Sequence, residues 1–211
     1  MKLNADFDVP AIVHAAKEPW VTSPTAGVER RMLFRIGDEK ARATSIVRYA
    51  RNSHFPAHGH PGGEEILVLD GVFQDESGDY PAGSYMRNPP ESGHRPGSEQ
   101  GCVIFVKLWQ FRRDDREYVQ LRNADGILFD NGHEQVRIEI WPTNQDIELA
   151  NPDGLELLVL EGSFSHARES FARHSWLRLP GGTPLRARIG AHGARVWLKA
   201  GLLLQENLCA F

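Results

Sequence analysis

The stretch HFPAHGHPGGEEILVLDGVF, His54 to Phe73, joins a histidine-rich loop to a run of branched apolar residues. Its apolar half has the length and composition of a buried strand. Runs of the same kind recur along the chain: RATSIVRYA, GCVIFVKLWQF, QVRIEIWPT, LELLVLEGSF and ARVWLKAGLLL. Turn signals such as DESGDYPAGS, RNPPESGHRPGSEQG and LPGGTPLR separate them. Only VPAIVHAAKE and ARESFARHSW carry weak helical spacing, and both are short. Many short strands with regular punctuation predict an all-β sandwich or barrel.

The stretch also returns. EILVLDGVF at Glu65–Phe73 reappears as ELLVLEGSF at Glu156–Phe164, an offset of 91 positions. Ser84 of GSYMRNPP matches Ser175 of HSWLRLPGG at the same offset, and GCVIFVKL matches GARVWLKA after one residue of slip. Upstream, LFRIGDEKAR resembles LFDNGHEQVR. Because the matches keep their order, the chain reads as two copies of one β-barrel, residues 28–112 and 122–205. A charged joint, RRDDREYVQLRNADG, lies between them, and residues 1–27 form an N-terminal extension expected to pack on the first barrel.

The repeat acts as a control on the histidines. At the 91-residue offset His58 becomes Leu149, His60 becomes Asn151, Glu64 becomes Leu155 and His94 becomes Leu185. Four ionisable or polar positions disappear together while the strand and turn framework survives, so the four read as a set. Strand parity puts His58 and His60 on one side. It gives Glu64, Ile66 and Val68 the interior face, with Glu65 pointing outward. Three imidazoles and a carboxylate suit one divalent transition metal in the first barrel, and zinc, iron, manganese, nickel or cobalt all fit that donor set. His14, His54, His133, His166, His174 and His192 are scattered and read as surface or hydrogen-bonded residues, with His54 placed by parity near the mouth of the site.

Composition bounds the rest. The 211 residues are 41% hydrophobic, enough for a real core, and the formal charge of −4 gives no reason to expect nucleic acid or an anionic membrane. No run reaches the roughly twenty apolar residues of a membrane helix, and the start MKLNADFDVP lacks a secretory pattern, so a cytoplasmic location is expected. Two cysteines, Cys102 and Cys209, are too few for a disulfide framework. Cys102 is the obvious redox candidate, but its setting in GCVIFVKL reads as a buried strand residue.

These residues resemble a known family. HGHPGGEEILVLDG fits the first cupin motif through His58, His60, Glu64 and Gly71, and GDYPAGSY followed by His94 looks like the second, with Gly78, Pro81 and Gly83 setting the turn. PWVTSPTAGV, GGEEILVLDGVFQDESGDYPAGSYMRNPPESGH and GCVIFVKLWQF are similar to the cupin domain of ChrR-type anti-sigma factors over about residues 19–111. The resemblance implies two tandem cupin (double-stranded β-helix, jelly-roll) barrels, the second degenerate, with His58, His60, Glu64 and His94 as metal ligands. It does not extend to the sigma-binding zinc module of ChrR, since the first 27 residues contain no cysteine and only His14.

Two functions are consistent with this reading. The first is a sensory or regulatory cupin in an oxidative-stress or anti-sigma-related setting, for which four protein ligands favour a closed zinc centre and a regulatory protein partner. The second is an iron(II)-dependent dioxygenase acting on a diketone or aromatic ketone, as in related cupins, with a small-molecule ligand at the metal. Arg48, Tyr49, Tyr85, Met86, Phe105 and Trp109 are positioned to line a pocket or to fill the core. Sugar-phosphate chemistry ranks last, with Arg87 and Arg95 beside His94 as its only cations. No catalytic residue is assigned, and either a monomer or a homodimer is compatible with the sequence.

Overall fold

The computed structural model describes residues 1–201, 203 and 207–210. All of its regular structure is strand, apart from one 3-10 turn at Ala15–Lys17. The expected all-β class is therefore observed. The apolar run ending at Leu204 and the expected boundary at 205 finish outside the described residues.

The chain divides into two compact units. The first contains Met1–Ala5, Pro19–Ala124 and the described residues 207–210. Its main antiparallel sheet runs in the order Lys2–Leu3, Val28–Gly37, Ala41–Tyr49, Cys102–Leu108, Glu64–Asp75, Tyr85–Asn88, Val119–Leu121. A separate two-stranded ribbon pairs His58–His60 with Ser92–His94. Ile66, Val68, Phe73, Tyr80, Met86, Cys102, Ile104 and Val106 form an apolar core cluster in this unit. Burying each large side chain of this kind contributes roughly 1.5–3 kcal/mol.

The second unit contains Asp6–Glu18 and the described part of Asp125–Leu204. Its sheet order is Gly126–Asp130, Glu134–Trp141, Leu185–Gly201, Gly154–His166, Ser175–Pro180, Ala11–His14. Matched strand for strand, this is the central order of the first unit. Both units also carry the same irregularity. Gly71 and Gly162 have φ of 68° and 69°, and a β-carbon on either would collide with the carbonyl oxygen of Gly101 or Gly193 respectively. Each is a position that only glycine fits, and in each unit the strand register slips two residues earlier, at Leu69 and Leu160.

Two expectations change. The N-terminal extension does not stay with the first unit as one piece: Ala11–His14 pairs antiparallel with Ser175–Arg178 of the second, where it completes a sheet edge. There it takes the place that Val119–Leu121 takes in the first unit. For the same reason VPAIVHAAKE is a strand followed by one 3-10 turn. ARESFARHSW likewise becomes strand, in Glu169–Ala172 and Ser175–Pro180. Sheet partners override weak local helical spacing in both places.

The second change concerns Glu65. It lies on the face opposite Glu64, as parity predicts, yet it is only 2% exposed and accepts a 2.8 Å hydrogen bond from the Tyr85 hydroxyl. Its cross-strand neighbour is Arg87, itself buried. The second unit repeats the arrangement at the 91-residue offset, with Glu156 opposite Arg178 and accepting from Trp176 Nε1 at 2.8 Å. A carboxylate can be buried when polar partners replace its water.

Candidate metal centre

The site begins with the two-stranded ribbon. His58 lies directly opposite His94, and His60 opposite Ser92, so the alternation of side chains along the strand puts all three imidazoles on one face. One ring nitrogen from each lies within 4.8 Å of the others. The ring centroids are 4.7–5.4 Å apart and the planes nearly perpendicular, which is an arrangement around a common point rather than a stack. Glu64, first residue of the next long strand, brings Oε2 to 3.3 Å from His60 Nε2 and 3.4 Å from His94 Nε2. Asn88, its cross-strand partner, holds that oxygen with Nδ2 at 3.4 Å.

Two of the outward-facing ring nitrogens have oxygen neighbours. His58 Nδ1 lies 3.1 Å from the Pro56 carbonyl oxygen, which can only accept, so the proton belongs on Nδ1 and the Nε2 lone pair is free. His94 Nδ1 lies 3.6 Å from Asp75 Oδ2, an ion-pair contact somewhat too long for a formed hydrogen bond. Among the described residues, His60 Nε2 is buried with no hydrogen-bond partner. A buried imidazole nitrogen close to two other imidazoles and a carboxylate is suited to a cation. The donor set thus fits a divalent metal, and His58, His60 and His94 form a cluster able to hold one.

Electrostatics agree with that fit. Burial, only partly opposed by the Glu64 charge, lowers the pKa of His60 and keeps its imidazole neutral, the form that binds metal. Burial also acts to lower His94, but its contact with Asp75 and the Glu64 charge outweigh it, and the pKa rises. A metal would then compete with a proton at His94.

Asp75 was not visible as a site residue in the sequence, where DESGD reads as a solvated turn. Its Oδ1 accepts from Ser77 N at 2.7 Å, leaving Oδ2 for His94, while the neighbouring Glu76 accepts from Arg95 N at 2.7 Å. This turn therefore fixes both the ring and the backbone of the His94 segment. Outer partners of metal-bound histidines typically change metal affinity 10–100-fold. Asp75→Asn should weaken metal binding by about that factor with the fold intact, as measured by competition with a chromogenic chelator. An unchanged affinity would remove Asp75 from the site.

A cavity of about 530 Å³ adjoins this cluster. His58, His60 and Glu64 form its polar part, and Val28, Val47, Tyr49, Phe55, Ile104, Val106, Leu108 and Trp109 much of the remainder. Burial, and after it the Glu64 charge, pushes the Tyr49 phenol far above its usual pKa, so its hydroxyl stays a donor. Among the described residues, no lysine or arginine lines this space. Of the residues expected at a pocket, Tyr49 and Trp109 are there. Arg48 instead pairs with Glu29, Tyr85 with Glu65, and Met86 and Phe105 are core. Arg87 is buried against Asp115, and Arg95 is exposed outside the cavity. His54 is exposed and not part of the lining. Cys102 is buried, and burial pushes its thiol up to about 11, which leaves it protonated and a poor redox sensor.

An antiparallel β fold carrying His-x-His, a following Glu and a distant His on one interior face defines a cupin. Residues 8–112 match the family model for the ChrR cupin-like domain, and through them the chain belongs to that family. Solved structures share the fold over nearly the whole chain. A Nostoc punctiforme protein described provisionally as a dioxygenase is 13% identical, covering 97% of this chain and 87% of its own, at a TM-score of 0.70. YhhW of Escherichia coli is 12% identical, covering 94% and 100%, also at 0.70. The same protein, described as a bacterial pirin in complex with nickel(II), gives 13%, 92%, 99% and 0.67. No curated protein matches the chain.

Proposed function

We propose that the first unit binds one divalent transition metal through His58, His60, Glu64 and His94 and acts as an iron(II)-dependent dioxygenase of a small ketone, a diketone or an aromatic ketone. The cavity carries this reading. A purely structural metal site needs no such space beside it, whereas about 530 Å³ of mainly apolar lining fits a small organic molecule. The absence of a cation from the described lining argues for a neutral substrate and against a sugar phosphate.

Bound iron would supply Lewis acidity and redox capacity toward oxygen. The chain's own residues do the rest. His58 presents Nε2 in the tautomer set by the Pro56 carbonyl, and Asp75 stands beside Nδ1 of His94. Tyr49 offers a hydroxyl to a substrate oxygen, and the apolar walls hold the hydrocarbon part and exclude water. The match to the Nostoc protein is consistent with this reading but, at 13% identity, bears on the fold alone.

A second reading, a zinc-binding sensory cupin with a regulatory protein partner, is favoured by the family match to the ChrR cupin-like domain. In either case we take the second unit to be a degenerate copy of the first, in a cytoplasmic protein. Its strand order is the same, and the cross-strand pair His58–His94 is replaced by the cross-strand pair Leu149–Leu185.

Elemental analysis of protein purified without added metal or nickel resin, followed by oxygen uptake with a diketone panel after iron(II) loading, separates the two. Substrate-dependent oxygen consumption is expected. One equivalent of tightly held zinc with no consumption under iron would overturn the enzyme in favour of the sensor.

A further inference from the structure

Pro61, Gly62 and Gly63 separate the proposed ligands His60 and Glu64, and an aromatic ring rests on each glycine. A β-carbon at Gly62 would fall inside the Trp109 indole, and one at Gly63 inside the Phe111 ring. Phe111 is buried, whereas Trp109 is only partly so and faces the cavity.

The backbone at Trp109 has φ of 59°, a left-handed conformation that bulky residues adopt only when their surroundings impose it. Here they do. Trp109 N donates to Gly63 O at 3.2 Å, and Trp109 O accepts from Arg42 Nε at 2.9 Å. Lys40 Nζ sits 4.9 Å from the ring centroid. The regular strand ends at Leu108, and the next residue is turned so that one indole face covers the loop between two ligands and the side chain forms part of the cavity wall. A core tryptophan needs neither the strained backbone nor contact with the cavity.

We propose that Trp109 is the specificity-determining wall of the site: seated on Gly62, it sets the size of the organic molecule that reaches the metal cluster. This rests on the reading that the cavity takes an organic ligand. Removing the indole should open the cavity to bulkier molecules. A methyl group at Gly62 should displace the indole and alter the same space from the other side.

The test uses full-length protein loaded with cobalt(II), whose visible bands report ligand arrival without turnover. Metal content is checked first for every variant. Acetylacetone, benzoylacetone and dibenzoylmethane are titrated into wild type, Trp109→Ala, Trp109→Phe and Gly62→Ala. Trp109→Ala should shift preference toward dibenzoylmethane over acetylacetone by at least about tenfold, the range typical of pocket-size changes, with Trp109→Phe intermediate. Gly62→Ala should change the order of preference only while the indole is present, so Gly62→Ala with Trp109→Ala should behave like Trp109→Ala alone. If wild type binds the series and the metal-loaded Trp109 variants bind it in the same order, Trp109 is packing only and the proposal falls while the ligand site stands. If no diketone perturbs loaded wild type, the ligand reading fails and takes this proposal with it.

Discussion

A variant carrying both His58→Ala and Glu64→Ala should purify with almost no bound metal, whereas His166→Ala and His174→Ala should retain the wild-type content. Losing a single outer partner of a metal-bound histidine costs about 10–100-fold in affinity. Removing two proposed donors, one of them the negative charge nearest His60 and His94, should cost roughly a thousandfold or more. His58 lies opposite His94 in the ribbon and Glu64 within 3.4 Å of both His60 and His94. The control histidines have other surroundings: His166 Nδ1 lies 3.0 Å from the Arg186 carbonyl oxygen, and His174 sits in a turn at φ of 64°. Elemental analysis reads the outcome directly. Equal metal in all variants would sink the ligand assignment.

The largest effect on stability should come from Arg87→Ala. The guanidinium reaches Asp115 Oδ2 at 2.6 Å with both side chains almost fully buried, and it lies 4.3 Å from the centroid of Phe111. Deleting it leaves a buried carboxylate without its cation, which costs about 3–5 kcal/mol. For a chain of this size that is a fall of roughly 6–20 °C in Tm. Adding Asp115→Ala should recover part of the loss, because the penalty lies in the stranded charge more than in the pair. Arg188→Ala provides the contrast. Its pair with Asp146 is 2.9 Å long but well exposed, so the change should cost under about 1 kcal/mol. Thermal unfolding of the three variants checks the ranking, and an Arg87→Ala protein as stable as Arg188→Ala would contradict it.

Much of the site could be read from sequence because the repeat supplied a comparison inside one chain. The loss of His58, His60, Glu64 and His94 together selected four residues that the structure then brings together. The offset even paired Leu149 with Leu185, which stand directly opposite each other as His58 and His94 do. Asp75 escaped because a carboxylate in a turn has the same local signature whether it faces water or an imidazole. Glu65 was placed on the correct face, but parity says which way a side chain points and not what covers it. Trp109 stood open between pocket and core, because nothing in LWQF announces a left-handed backbone. The partner of Ala11–His14 was beyond reach, since the choice among sheet edges is made by the assembled fold rather than by the segment.

That last pairing bears on how the protein is made. His14 meets Ser175 across 161 residues of chain. At synthesis rates of about 5–20 residues per second, the Ala11–His14 segment emerges roughly 10–30 s before its partner exists. Through that interval Ile12 and Val13 belong to a strand with no sheet, while most of the first unit's strands can already assemble. The ribosome thus delivers one of the second unit's edge strands well ahead of the strand it pairs with, and that unit can close only once Ser175–Arg178 has emerged.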